Sequence, residues 1–260
     1  MLNFQDLPDE LVLKILSYSE TKDLISYGQV SKRIRRISHD GTLWVTANLE
    51  KKIVKTELLE MILGKGCRTL NLSHSTIVGH LSSNTKSQLN VLNFSHCECN
   101  VDENNDVLED LLFSCGFLQH LTVEDVLITP KMAVSICNNG KTLQTLNLNS
   151  SFLKGLSNST TPAYSYLQEL FKCCQELKEV NLDVYDENGL SDDDLEILAK
   201  TISPNVEKLN LNSSLVMDDH IKILISRCKK IKAMSIGAFF HHDSFALTKI
   251  RKHLNLTIAE

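Results

Sequence analysis

From residue 118 to residue 148 the chain reads LQHLTVEDVLITPKMAVSICNNGKTLQTLNL. The stretch opens and closes on one phrase: Leu118, Leu121 and Val123, then Leu143, Leu146 and Leu148. Alternate apolar positions in so short a run predict a strand with one buried face. Between the two phrases, Thr129-Pro130 sets a capping hydroxyl just before a first-turn proline. That pairing predicts a helix start, and Met132 to Cys137 follows at helical spacing.

The phrase recurs along the chain. Leu70-Asn-Leu72, Leu92-Asn-Phe94, Val180-Asn-Leu182, Leu209-Asn-Leu211 and Met234-Ser-Ile236 repeat it, with Leu89, Leu177, Val206 and Ile231 three positions earlier. Leu49 and Ile258 extend the series, and its steps are 23, 22, 29, 25, 34, 29, 25 and 22 residues. These lengths suit leucine-rich repeats. Helical patterns fill the intervals at Val107 to Leu112, Tyr164 to Cys173, Leu195 to Ile202, Ile221 to Cys228 and Phe245 to Leu254. Further starts are marked by Thr161-Pro162, by Ser191 before three aspartates, by Asp218 and by Asp243. One strand–helix unit cannot bury its own apolar face, and stacked neighbours do. The expected class is therefore α/β. Residues 47–260 form a curved leucine-rich-repeat solenoid of about seven to eight repeats, with a concave parallel sheet and convex helices.

The cysteines keep the same register. Cys115, Cys174 and Cys228 each precede an apolar phrase residue by three positions, and Cys97 follows Phe94 by three. Reduced thiols used as small core residues are expected. The register resembles the cysteine-containing repeat class.

Residues 1–46 follow a different pattern, with three short helices. Leu7-Pro8-Asp9-Glu10 opens the first, with Leu11, Ile15 and Tyr18 on one face and Leu16 beside them. Thr21 is placed to cap a second helix through Leu24, ended by Gly28. Val30, Ile34, Ile37 and Leu43-Trp44 complete the apolar set. Three helices of this size make a small core. The surplus apolar surface predicts an interface.

The segment from Phe4 to Leu49, FQDLPDELVLKILSYSETKDLISYGQVSKRIRRISHDGTLWVTANL, resembles an F-box. Together with the cysteine-type repeats it is similar to the F-box/leucine-rich-repeat proteins. The resemblance implies a non-catalytic receptor subunit of an SCF-type (Skp adaptor–cullin–F-box) ubiquitin ligase, which recruits a protein for ubiquitination and proteasomal degradation. It implies an adaptor-binding set of Leu7, Pro8, Leu11, Ile15, Leu16, Leu24, Val30 and Ile34. Ile34 stands where many F-boxes carry Trp. A member of the family has a long C-terminal tail over the concave face, which is not expected here, and uses a small Cks-type accessory subunit, which the resemblance does not carry over: recognition with and without one both stay open. An interaction scaffold that binds the adaptor without promoting ubiquitination is the alternative.

The target is expected on the concave face. There the strand phrases place Asn71, Ser73, Asn93, Ser95, Thr122, Glu124, Asn147, Asn149, Asn181, Asp183, Asn210 and Asn212. Solenoid concavities are extended contact surfaces. The stripe carries no arginine cluster to read a phosphate, so substrates with and without phosphorylation both remain open. Asn149 to Thr161 is an irregular Ser/Asn-rich insertion of the kind that is often functional.

Other chemistries are not expected. A formal net charge of −5 argues against a broad nucleic-acid surface. No run of about 18 apolar residues occurs, so no membrane span is expected. Met1 to Glu10 carries acids and a proline where a signal peptide needs an apolar core. The six Asn-x-Ser/Thr sites are accordingly expected to stay unmodified, and the protein to be nuclear, cytoplasmic or both. No nucleophile elbow, phosphate-binding glycine loop or H-E-x-x-H motif is present, so neither an enzyme nor a cofactor is expected. His74, His96, Cys97 and Cys99 have the composition of a zinc site. Their register assigns Cys97 and Cys99 to core slots instead, and no metal is expected. Asp183 to Asp194 lacks the order of a calcium loop. The basic run Lys32, Arg33, Arg35 and Arg36 reads as a solvated helix face.

Overall fold

The computed structural model describes residues 6–82, 84–100, 107–126, 128–149, 164–183, 190–212, 214 and 216–236. The terminal strand at Ile258, the helix from Phe245 to Leu254, the Thr161-Pro162 start and insertion positions 150–161 lie outside them. The chain is an α/β protein that divides into two compact units, Met1–Cys115 and Gly116–Glu260.

The first unit begins with helices α1 (Asp9–Leu16), α2 (Thr21–Tyr27) and α3 (Lys32–Ser38), then a 3-10 turn at Gly41–Trp44. Pro8 occupies the N-cap of α1 with φ −56°, and Asp9 and Glu10 face the positive helix end. Ser31 caps α3 by accepting the Ile34 N–H at 3.1 Å. Thr21 does not cap α2. Glu20 holds the cap position without a side-chain bond, and the Thr21 hydroxyl accepts the Asn48 N–H at 3.0 Å instead. Val12, Leu16, Leu24, Ile37 and Trp44 form the core of this region. The Trp44 indole N–H donates to the Ser38 carbonyl at 2.7 Å, so the buried ring has a partner.

The same unit continues with β1 (Thr46–Asn48), β2 (Ile53–Lys55), α4 (Thr56–Gly64), β3 (Thr69–Asn71), β4 (Thr76–Val78), β5 (Val91–Asn93), β6 (Glu98–Asn100) and α5 (Val107–Ser114). Strands β1, β3 and β5 pair in parallel, with Ala47, Leu70 and Leu92 in one buried row. A second parallel set, β2–β4–β6, aligns Val54, Ile77 and Cys99. That alignment puts Cys99 beside Ile77, as the sequence register predicts. The sequence places a boundary at 46/47, whereas the compact units divide after Cys115. The reason is local: the N-terminal helices are tied to the first strands through Thr21–Asn48 and through Arg68 N–H to Val45 carbonyl at 2.9 Å.

The second unit contains β7 (His120–Thr122), α6 (Pro130–Asn138), β8 (Thr145–Asn147), α7 (Tyr164–Cys173), β9 (Glu179–Asn181), α8 (Asp192–Thr201), β10 (Lys208–Leu211), α9 (Asp218–Arg227) and β11 (Ala233–Ile236). Its strands pair in parallel in chain order, with Leu121, Leu146, Val180, Leu209 and Met234 in one buried row. The next apolar residue of each phrase is buried as well: Val123, Leu148, Leu182 and Leu211. Each such side chain contributes about 1.5–3 kcal/mol by leaving water. Thr129 caps α6 by accepting the Met132 N–H at 3.2 Å, and Ser191 with Asp194 makes a capping box on α8. Cys67, Cys115, Cys174 and Cys228 are buried, and all eight cysteines are free thiols. Among the described residues no helix is long and apolar enough to cross a membrane.

Candidate functional site

Helix α1 carries two apolar stripes. Val12 and Leu16, four apart, face the core, whereas Leu11 and Ile15 are 51% and 45% exposed and Tyr18 beyond them is 78% exposed. The eight residues expected to meet an adaptor therefore divide. Pro8, Leu11, Ile15 and Val30 are exposed, Leu7 and Ile34 are half-buried, and Leu16 and Leu24 are buried at 4%. Leu16 and Leu24 support the outer face from beneath. Tyr18 joins that face, and Lys14 Nζ stands 5.1 Å from the centre of its ring.

The basic run on α3 is not simply solvated. Arg33 Nε donates to Asp9 at 2.8 Å, and Arg33 also donates to the Leu7 carbonyl. Arg36 pairs with the other Asp9 oxygen, and Arg35 Nε donates to the Gly28 carbonyl at 2.6 Å. The Arg33 hydrogen bond, followed by the charge of Arg36, holds the Asp9 carboxyl below the usual carboxylate range. Three arginines thus fix the Leu7-Pro8 corner and the end of α2. The sequence signal for this clamp was an acid in the first turn of α1 and a basic run on a nearby helix.

Residues 4–50 match the family model described as F-box-like. The chain carries an F-box-like domain at its N-terminus. The exposed apolar face and the Asp9–Arg33 clamp both belong to that domain, whereas the paired strands from β3 onward lie beyond it.

One polar row runs along the open face of β1–β3–β5, and another along that of β7 to β11. In the first unit Asn48, Asn71 and Asn93 stand in register. Each side-chain oxygen accepts the N–H two residues on, from Glu50, Ser73 and Ser95, at 3.0–3.1 Å. In the second unit Thr122, Asn147, Asn181, Asn210 and Ser235 align. The three asparagines close the same turn with Asn149, Asp183 and Asn212 at 3.1 Å. The recurring asparagine is thus a strand-ending turn residue with half of its amide already engaged. Of the residues that close these turns, Ser73, Ser95 and Asp183 are buried. Asn71, Asn93, Thr122, Glu124, Asn147, Asn149 and Asn181 are half-buried, as is Asn210, and Asn212 is exposed. Glu124 accepts from the Asn147 amide at 2.7 Å.

A second outward row was missed by the sequence reading. Strand residues immediately before the buried leucines face outward too: Thr46, Thr69 and Val91 in the first unit, and His120, Thr145, Glu179 and Lys208 in the second. Within it the His120 ring lies 2.9 Å from the Thr145 hydroxyl, and Lys208 pairs with Glu179 at 2.7 Å. The period of two was the available signal, since residues on both sides of a buried leucine share its opposite face.

The His74 and His96 rings stack at 4.5 Å between centres with planes 10° apart. Both occupy a left-handed position, φ 56° and 52°, which Lys51 and Asp125 also occupy in their turns. Cys97 Sγ donates to the Leu72 carbonyl at 2.9 Å. Among the described residues no group of three or more His, Cys, Asp or Glu side chains is placed to hold a metal ion. The acidic stretch ends in the α8 cap, and its residues 184–189 lie outside the described set.

Proposed function

We propose that this chain is the substrate-recognition subunit of an SCF-type ubiquitin ligase. The observation that carries the reading is the exposed Leu11, Ile15 and Val30 face within the F-box-like domain. A domain with so small a core leaves such a face uncovered only where a partner buries it. The partner is a Skp-type adaptor and, through it, a cullin. Leu7, Pro8, Leu11, Ile15, Val30 and Ile34 meet the adaptor, and Leu16 and Leu24 hold that surface in shape. The interface is on the order of 2,000 Å² or more.

The strands and helices that follow are read as a cysteine-containing leucine-rich-repeat solenoid. Parallel strands at each L-x-x-L-x-L phrase and buried cysteines in register support this. The repeat phrases resemble those of the S-phase kinase-associated F-box protein, a member of the F-box/leucine-rich-repeat proteins. The chain is non-catalytic in this reading. Its concave rows bind a protein substrate, and holding that substrate near the ubiquitin-loaded enzyme raises the effective concentration of its lysines. Such a receptor works in the nucleus, the cytoplasm or both.

Co-expression with the adaptor tests the first step: a stable complex is expected, and a wild-type chain that fails to bind ends the proposal. Reconstituted ubiquitination of a captured partner tests the second. Adaptor binding without ubiquitin transfer would select the scaffold reading instead.

A further inference from the structure

Helices α6 and α7 each bring a cysteine to one join on the surface of the second unit. Gly140, two residues beyond α6, permits the approach. An ideal Cβ there would lie 2.4 Å from the Cys173 carbonyl oxygen and 3.0 Å from that of Cys137. The Gly140 N–H donates to the Cys137 carbonyl at 2.9 Å. Cys137 Sγ stands 3.7 Å from the Glu169 carbonyl oxygen, one turn before Cys173 on α7. Glu169 lies four residues before Cys173 on α7, so the Cys137 side chain and Cys173 meet at the same join. The adjacent Cys174 is fully buried in the core, whereas Cys173 is exposed and Cys137 is half-buried. The join therefore holds one accessible sulfur against one sheltered sulfur. The repeat register explains Cys174, and it explains neither member of this pair.

We propose that Cys137 and Cys173 form a reversible thiol–disulfide modification site whose oxidant is hydrogen peroxide. The Cys173 thiolate attacks one peroxide oxygen. The O–O bond breaks, hydroxide leaves and is protonated to water, and Cys173 becomes a sulfenic acid. The Cys137 sulfur then attacks the Cys173 sulfur. The S–O bond breaks, and the departing hydroxide takes the Cys137 proton as a second water. Two thiols and one peroxide thus give one disulfide and two waters, with two electrons passing from sulfur to peroxide. A small thiol reverses the link by exchange. Burial, and then the neighbouring Cys173, raise the Cys137 thiol above its usual range, so the exposed Cys173 is the sulfur that meets peroxide, and Cys137 attacks only as the hydroxide leaving Cys173 takes its proton. The bond would join the end of α6 to the end of α7.

The test uses the full chain, reduced, desalted and treated with hydrogen peroxide, with remaining thiols alkylated before tryptic digestion and mass spectrometry. The expected product joins the peptide from Met132 to Lys141 to that from Cys173 to Lys178, with loss of two hydrogens and recovery by dithiothreitol. It persists in Cys174→Ser and is lost in Cys173→Ser, an exposed replacement that leaves the fold intact. In Cys137→Ser, Cys173 remains as a sulfenic acid trapped by dimedone. A cross-link through Cys174, or wild-type Cys173 sulfenic acid accumulating without any cross-link, would overturn the proposal.

Discussion

Arg33 donates to the Asp9 carboxylate at 2.8 Å and so ties α3 to the first turn of α1. This clamp sits beside Leu7-Pro8, at the edge of the exposed apolar face. Asp9→Asn and Arg33→Ala are each expected to weaken adaptor binding more than they lower the melting temperature. Because the Asp9 carboxyl is held below its usual value, its contribution is complete above about pH 4. It fades as pH falls through the lowered value. Unfolding of wild type and Asp9→Asn should therefore converge in acid and separate toward neutrality, and less so in high salt. Curves that stay parallel at every pH would refute the clamp.

The two stripes of α1 separate binding from folding. Leu11→Asp with Ile15→Asp should abolish adaptor capture while lowering the unfolding midpoint far less than a core substitution, since both side chains are already about half exposed. Leu16→Ala should instead cost about 2–5 kcal/mol of stability. Calorimetry and adaptor pull-down on the same samples check both.

Asparagine at the strand ends is expected to act through its acceptor oxygen. Asn181→Ala removes the bond from the Asp183 N–H and should cost about 1 kcal/mol. Asn181→Asp keeps an acceptor and should cost only a few tenths of that. Urea unfolding separates the two; equal losses would show that the amide donor matters instead.

Thiol reactivity should be sharply uneven. Burial pushes the Cys67, Cys97, Cys115 and Cys228 thiols up to about 11, and that of Cys174 up to about 12. Thiolate is the reactive form. At neutral pH iodoacetamide should label the exposed Cys173 first and leave those five nearly untouched until denaturant is added. Quantitative peptide mapping reads this directly.

Glycine positions give a paired test of packing. Gly140→Ala drives a methyl into the Cys173 carbonyl and should destabilise by about 1–3 kcal/mol. Gly64→Ala meets nothing within 4 Å at the end of α4. It should be neutral or stabilising by up to about 1 kcal/mol. Thermal melts of the two variants decide it.

The sequence by itself determined where the main strands of this protein lie. A leucine at every second position, with an apolar residue three before, leaves a short strand no alternative face to bury, and the strands lie where those phrases fall. Thr129-Pro130 and Ser191 with Asp194 likewise announced two helix starts, because caps act within four residues. The second set of strands, β2–β4–β6, escaped notice, since each is three residues long, with at most one buried residue (Val54 in β2, Ile77 in β4, and only a half-buried Cys99 in β6), and depends on its neighbours for hydrogen bonds. Side-chain destinations were also hidden. Leu11, Val12, Ile15 and Leu16 are equally apolar, and only the packing of α1 on its neighbours decided which pair faces the core. Tertiary structure alone turned the basic run into a clamp on Asp9, whereas the recurring asparagine closes its turn locally, on the N–H two residues on. The tertiary structure alone brought Cys137 and Cys173, 36 residues apart, to one join. Local pattern dictates which face a segment must bury, whereas long-range contact decides what each remaining side chain meets.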